Sequence, residues 1–221
     1  MQQRSTTPLV IGAVVVLVAV VALVAVLVSG SGDGDDATGS SSPTSASGSS
    51  GPTSAYGIVT VEGAPLPRGE APDDPSVGDT VPTLRGEDYA GASTAIVPGQ
   101  DGPLMIVVMA HWCPHCNNEV PKLIEWGASG AVPDGLQVVG VSTAASDEAP
   151  NFPPGEWLQD LGWDWPVIAD DADQTAAQAL GVTGYPFIMF VDATGDLMFR
   201  VAAELPIDDI QRLADAAAAT A

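Results

Sequence analysis

Hydrophobic positions change spacing several times along the chain, and each change marks a predicted element. Leu9 to Val28 carries no polar side chain. A helix needs about 20 such residues to cross a hydrocarbon core of about 30 Å. Residues 9–28 are therefore predicted to be a transmembrane anchor, with 1–8 as a cytoplasmic N-terminus. A cleaved signal peptide is the competing reading, but its apolar region usually runs about 7 to 15 residues. Ser, Gly, Thr, Ala, Asp and Pro then dominate, a composition that buries too little apolar surface to offset the entropy of ordering. The linker is drawn over 29–75. Within it, Ile58-Val59-Thr60-Val61 could equally be an edge strand.

The folded domain is placed at 76–221. Leu104 to Ala110 is continuously apolar behind Gly102-Pro103, as expected of a strand buried on both faces, and Leu136 to Val141 reads the same way. Val120, Leu123, Ile124 and Trp126 mark a helix that Pro121 should kink. A second helix covers Glu156–Leu161 behind Pro153-Pro154, and a third runs from Asp173 to Leu180, stopped by Gly181. Phe187–Asp192 and Leu197–Val201 flank a Gly-containing turn, the mark of a hairpin. Asp208–Ala219 closes the chain as an amphipathic helix. Strands alternating with helices, then a hairpin, predict an α/β domain with a mixed central sheet and helices on both faces.

Charge narrows the partners. The chain of 221 residues carries a formal net charge of −22 and a single lysine, Lys122. No basic cluster follows the apolar run, so nucleic acid is not an expected partner. Arg4 before the run and Asp33, Asp35 and Asp36 after it suit a domain on the extracytoplasmic side of the cell membrane.

Both cysteines lie in Trp112-Cys113-Pro114-His115-Cys116. A loop so short staples no distant parts of a fold, which disfavours a purely structural bridge. Cys113 is expected at a helix N-terminus, where free N–H groups and the helix dipole favour thiolate over thiol. It is the candidate attacking sulfur. Cys116, one turn deeper, is placed to resolve a mixed disulfide. Pro114 lacks an N–H that would be unsatisfied there anyway. An imidazole at His115 could further stabilise the Cys113 thiolate, and a stabilised reduced state makes a stronger oxidant.

Together with Glu119-Val120-Pro121 and Leu180-Gly181-Val182-Thr183-Gly184-Tyr185-Pro186, this motif resembles the thioredoxin superfamily, within it the exported, membrane-tethered redoxins of the TlpA, ResA and DsbE type. The resemblance covers about residues 76–217. It implies a thioredoxin-like fold, a cis-proline at Pro186 packed against the cysteines, and a Tyr185 backbone that pairs with substrate. It implies catalysis by the Cys113–Cys116 disulfide without a dissociable cofactor or metal. The expected partners are thiols or disulfides of exported proteins, together with a membrane or extracytoplasmic electron-transfer protein. Two departures stand out. The superfamily's buried acid, six positions before the first cysteine, is here Val107, so proton transfer from Cys116 must use water or another group, with Glu119 the candidate acid nearby. The Pro114-His115 dipeptide looks like that of disulfide-forming oxidases, pointing to oxidation or isomerisation, whereas the scaffold suits a disulfide reductase of cytochrome c maturation.

The rival from another class is a copper-delivery module built on His111, Cys113, Cys116 and His115. A structural zinc site lacks a second ligand pair. His111 is otherwise expected at the rim of the site. Trp112 should shield the cysteines and contact substrate, while Trp157, Trp163 and Trp165 should be packing aromatics. Asp170, Asp171 and Asp173 read as a solvated loop and helix start.

Overall fold

A computed structural model describes residues 55–221 of the chain. The predicted anchor at 9–28 and most of the linker lie outside the described residues. The elements are β1 (Thr60–Glu62), β2 (Thr83–Glu87), β3 (Ser93–Ile96), β4 (Leu104–Met109), α1 (Pro114–Ala128), β5 (Gln137–Ser142), α2 (Pro154–Leu161), β6 (Val167–Ala169), α3 (Thr175–Ala179), β7 (Phe187–Val191), β8 (Leu197–Ala202) and α4 (Ile207–Ala218). No helix among them is long and apolar enough to cross a membrane.

The main sheet has the order β6-β5-β4-β7-β8. β4 pairs in parallel with β5 and β5 with β6, whereas β7 runs antiparallel to both β4 and β8. Position in this order explains the uninterrupted apolar run. β4 is the central strand, so both of its faces are covered and all six of its residues are buried. Side chains alternate along it. Leu104, Ile106 and Val108 join one core with Val139, Phe187, Met189 and the alanines of α3. Met105, Val107 and Met109 join the other, with Val120, Leu123 and Trp126 of α1, Trp157 of α2 and Ile210 of α4. The expected mixed sheet with helices on both faces is therefore present.

Helix ends follow local chemistry. Pro154 opens α2 and Gly162, at φ 82, closes it in the left-handed conformation. α1 runs from Pro114 to Ala128 with Pro121 inside it.

The N-terminal boundary differs from the one drawn at Ser76. β1, β2 and β3 form a separate antiparallel sheet, so Thr60 and Val61 of the apolar patch fall in an edge strand rather than in linker. Residues 66–74 are also fastened to α3 and to β8. Leu66 N–H donates to Ala179 O at 2.9 Å, Ala71 N–H to Arg200 O at 2.9 Å, and Ala202 N–H to the Glu70 carboxylate at 2.8 Å. At the opposite edge Gly57 N–H donates to Asp170 O, just past β6. Leu66 and Val59 are buried in the α3-side core, which is why a segment of unremarkable composition is ordered.

Arg200 of β8 is the anchor of this arrangement. Its side chain has no exposed surface, and its Nε and Nη2 lie 2.5 and 3.0 Å from the two carboxylate oxygens of Asp74. The remaining donors reach Leu180 O and Pro67 O. Gly181, at φ +68, is required beside it, because a Cβ there would stand 2.3 Å from Pro67 O and 2.6 Å from the Arg200 guanidinium. Asp170 is also more buried than expected. It accepts from Thr143 Oγ1 and from the N–H groups of Asp171, Ala176 and Ala177, so it caps α3 from inside the core rather than from solvent.

Candidate functional site

Strand β4 ends at Met109, and the turn that follows delivers Cys113 to the N-cap of α1 in extended geometry, φ −73 and ψ 122. Cys113 N–H donates to Ala110 O, and Cys113 O accepts the Asn117 N–H, both at 3.0 Å. Pro114 occupies the first turn, where its missing N–H costs nothing. Both cysteines are free thiols. Cys113 Sγ lies 3.4 Å from Tyr185 O, and the Tyr185–Pro186 peptide is cis, in line with the resemblance. Cys113 keeps 6% of its surface exposed and Cys116 none. Cys116 Sγ accepts the Ala110 N–H at 3.5 Å. Burial pushes its thiol far above the ordinary range, and the neighbouring Cys113 and Glu119 add to the shift. The inner sulfur therefore holds its proton until a base removes it, while Cys113 keeps what little exposed surface the pair has.

Trp112 and Tyr185 wall the outer sulfur, their rings edge to face with centroids 6.1 Å apart. Trp112 Nε1–H donates to Ala144 O at 2.7 Å, and the Tyr185 hydroxyl lies 3.1 Å from Gln174 Oε1. Both rings are thereby held in place. Trp157 and Trp163 are buried, and Trp163 stacks edge to face on Trp165, as expected of packing aromatics.

His111 is not a rim residue. It has no exposed surface, because the loop 144–153 folds over it. Its Nε2 accepts the Ser146 N–H at 3.1 Å, which leaves Nδ1 as the donor to Pro150 O at 2.7 Å. Both nitrogens are engaged within the protein. Burial holds its pKa below the usual 6.5. The unfolded chain therefore binds a proton that the folded chain refuses, so this contribution to stability is complete above about pH 6.5 and is lost as pH falls below it. Urea unfolding between about pH 7.5 and 5.5 is expected to show this loss, with a slope of up to about 1.4 kcal/mol per pH unit. A His111→Gln variant should lose that component of the slope.

Glu119, three residues beyond Cys116, is fully buried. Its Oε1 accepts the Leu205 N–H at 3.0 Å, and its Oε2 lies 2.5 Å from Lys122 Nζ. Hydrogen bonding to Glu119 raises the Lys122 pKa, which keeps that amine an ammonium. His115 is exposed, and its Nδ1 is 2.7 Å from Glu204 Oε1. Val107, at the position of the superfamily's acid, is part of the apolar floor shared with Cys116.

Two groups escaped sequence reasoning. Asn117 donates to His111 O and Cys113 O and accepts from Asn151 Nδ2 and Trp157 Nε1, tying the cysteine turn to the following loop and α2. Its one sequence signal was an amide, a poor helix former, directly after the second cysteine. Glu204 gave no signal, since its partners lie more than 80 residues earlier. Among the described residues, no three His, Cys, Asp or Glu side chains are grouped to hold a metal.

Comparison with known proteins agrees with this geometry. The model of the AhpC/TSA family matches residues 77–200. The chain is 30% identical over 145 residues to the thiol:disulfide interchange protein DsbE of Vibrio cholerae, covering 61% of this chain and 73% of that one. It is 30% identical over 118 residues to the thiol:disulfide interchange protein HelX of Rhodobacter capsulatus, covering 52% and 61%. Among solved structures, a thiol:disulfide interchange protein of the thioredoxin family from Chlorobium tepidum superposes with a TM-score of 0.52 at 20% identity, covering 66% of this chain and 99% of that one. The thioredoxin domain of a thiol-disulfide oxidoreductase from Bacteroides vulgatus gives 0.51 at 22% identity, covering 64% and 97%. Those two likenesses concern the fold. Since the family match spans more than half of the sequence, the chain belongs to the AhpC/TSA family, within the thioredoxin superfamily, and is a thiol-disulfide oxidoreductase.

Proposed function

We propose that the chain is an extracytoplasmic, membrane-tethered oxidoreductase that exchanges disulfides with exported proteins through Cys113 and Cys116. The observation that carries this reading is the asymmetry of the pair. One sulfur sits at a helix N-cap beside the Tyr185 carbonyl, and the other is buried and protonated behind it. In the reducing direction the Cys113 thiolate attacks a substrate disulfide, forming a mixed disulfide and releasing one substrate thiolate. Cys116 then gives up its proton and attacks Cys113 Sγ, releasing the second thiolate and closing the Cys113–Cys116 disulfide. Oxidation is the same sequence reversed. Trp112 and Tyr185 flank the bound peptide, and Glu119 takes the Cys116 proton.

The direction of electron flow turns on His115. Paired with the Glu204 carboxylate, a protonated imidazole has part of its charge balanced before it can favour the Cys113 thiolate. This supports a reductant, of the kind that keeps cysteines of exported apoproteins reduced in cytochrome c maturation, over a strong oxidant. The relatives DsbE and HelX are thiol:disulfide interchange proteins, which supports the exchange chemistry itself. A measured potential near about −270 mV is expected, and one near about −120 mV would place the protein with the oxidants. Copper delivery is weakened by His111, whose two nitrogens are already used.

The mechanism is tested by replacing the resolving sulfur. Cys116→Ser should accumulate a covalent adduct through Cys113 when mixed with a disulfide-bonded protein substrate, visible as a mass shift reversed by dithiothreitol. Absence of any adduct under conditions where the wild type turns over would remove Cys113 as the attacking group.

A further inference from the structure

Three side chains of one α1 face, His115, Asn118 and Lys122, converge on a single carboxylate from the loop between β8 and α4. Their distances to Glu204 are 2.7, 3.2 and 3.4 Å. Residues spaced by three and four along a helix share a face, so this is one built contact rather than three chance ones. Lys122 also reaches inward to Glu119, which has no exposed surface and stands one turn from Cys116. A continuous line of charged groups thus runs from the surface at Glu204, which is 29% exposed, through Lys122 to a buried carboxylate behind the inner sulfur.

The other surroundings of Glu119 are electrically quiet. β4 contributes only Leu, Met, Ile and Val, Leu205 offers its backbone N–H, and α4 pairs its Arg212 with its own Asp209. Lys122 is therefore the cation that balances Glu119. Its stem is long and its side chain 39% exposed, so without a second anchor it would exchange into solvent. A buried carboxylate that loses its paired cation bears the cost of an unbalanced charge, so the position of Lys122 matters to it.

We propose that Glu204 is a positioning residue for the resolving step: it fixes Lys122 over Glu119, which holds that carboxylate in place to receive the Cys116 proton. This rests on the exchange mechanism proposed above. In the step, Cys116 S–H passes its proton to Glu119, the Cys116 thiolate attacks Cys113 Sγ, the mixed disulfide breaks and the substrate sulfur leaves as thiolate. Glu119 then releases the proton to water.

The test uses 5,5′-dithiobis(2-nitrobenzoate) with the reduced protein, because each step releases one coloured thiolate. The first release reports attack by Cys113, and the second reports resolution by Cys116. In Glu204→Gln, which preserves most hydrogen bonds but not the charge, the second release is expected to slow about tenfold at pH 7, with its pH profile moved to higher pH. Lys122→Met should do the same, and the double variant should be no slower than either single one. Glu204→Asp should recover part of the rate, and unchanged thermal unfolding of Glu204→Gln would separate the effect from misfolding. A second release with an unaltered pH profile in Glu204→Gln, or additive losses in the double variant, would overturn the assignment of Glu204. A wild type that releases no second thiolate would instead overturn the exchange mechanism itself.

Discussion

Cys113→Ser is expected to reduce disulfide exchange to the uncatalysed level, the largest activity loss of any single substitution in this chain. The argument is one of geometry. Cys113 is the only residue of the pair that keeps any exposed surface, and Cys116 cannot substitute for it. The inner thiol has no exposed surface, its pKa is pushed up by burial, and thiolate rather than thiol is the nucleophile. A serine hydroxyl fits the same N-cap and keeps the helix start, so the fold should be retained. Insulin reduction or oxidation of a reduced, unfolded protein would read the loss. Retention of even a tenth of the wild-type rate would mean that chemistry proceeds through another group. Cys116→Ser separates the steps, because it leaves the attack intact and abolishes only the release.

Asp74→Ala is expected to produce the largest loss of stability, about 3 to 5 kcal/mol, since it strands a fully buried guanidinium without its counter-charge. For a domain of this size that corresponds to a fall in Tm of the order of 10 °C. Urea unfolding at pH 7 would measure it, and a change under about 1 kcal/mol would refute the account of the clip. Removing both partners in Asp74→Ala with Arg200→Met should cost less than Asp74→Ala alone, because the desolvated charge is gone as well. The pH dependence has a defined sign. Hydrogen bonding to Arg200 holds the Asp74 carboxyl below its usual 3.8, so the stabilisation is complete above that value and is lost as pH falls through the lowered one. Together with His111, whose contribution fades below about pH 6.5, this makes acid the direction in which the fold weakens in two stages.

What could be read from sequence was local. Leu104–Met109 announced a central strand because a strand covered on both faces has no place for a polar residue. Cys113, Cys116 and Glu119 could be placed relative to one another because helical spacing fixes their separation. β2 and β3 were missed because their sequences, Thr-Leu-Arg-Gly-Glu and Ser-Thr-Ala-Ile, bury only Leu84 and Ile96 completely and expose the rest in whole or part. β6 has three residues, too few to show a period. The contacts that depend on the assembled chain left no trace. Arg200 meets Asp74 across 126 positions and His115 meets Glu204 across 89. His111 looked like a surface residue for the same reason, since the loop that buries it supplies backbone groups, and any sequence has those.

The segment before Ser76 bears on solubility as well as on stability. Open sheets end in strands whose free N–H and C=O groups invite pairing with a second chain. Here Glu70 and Ala71 lie against β8, with Ala71 N–H on Arg200 O and the Glu70 carboxylate on Ala202 N–H, while Gly57 N–H meets Asp170 O just past β6. A domain beginning at Ser76 would leave these edge groups bare, inviting self-association between copies. Part of the stretch that composition marked as linker is thus expected to blunt edge-to-edge pairing, and a variant truncated to begin at Ser76 should self-associate more readily than the longer chain.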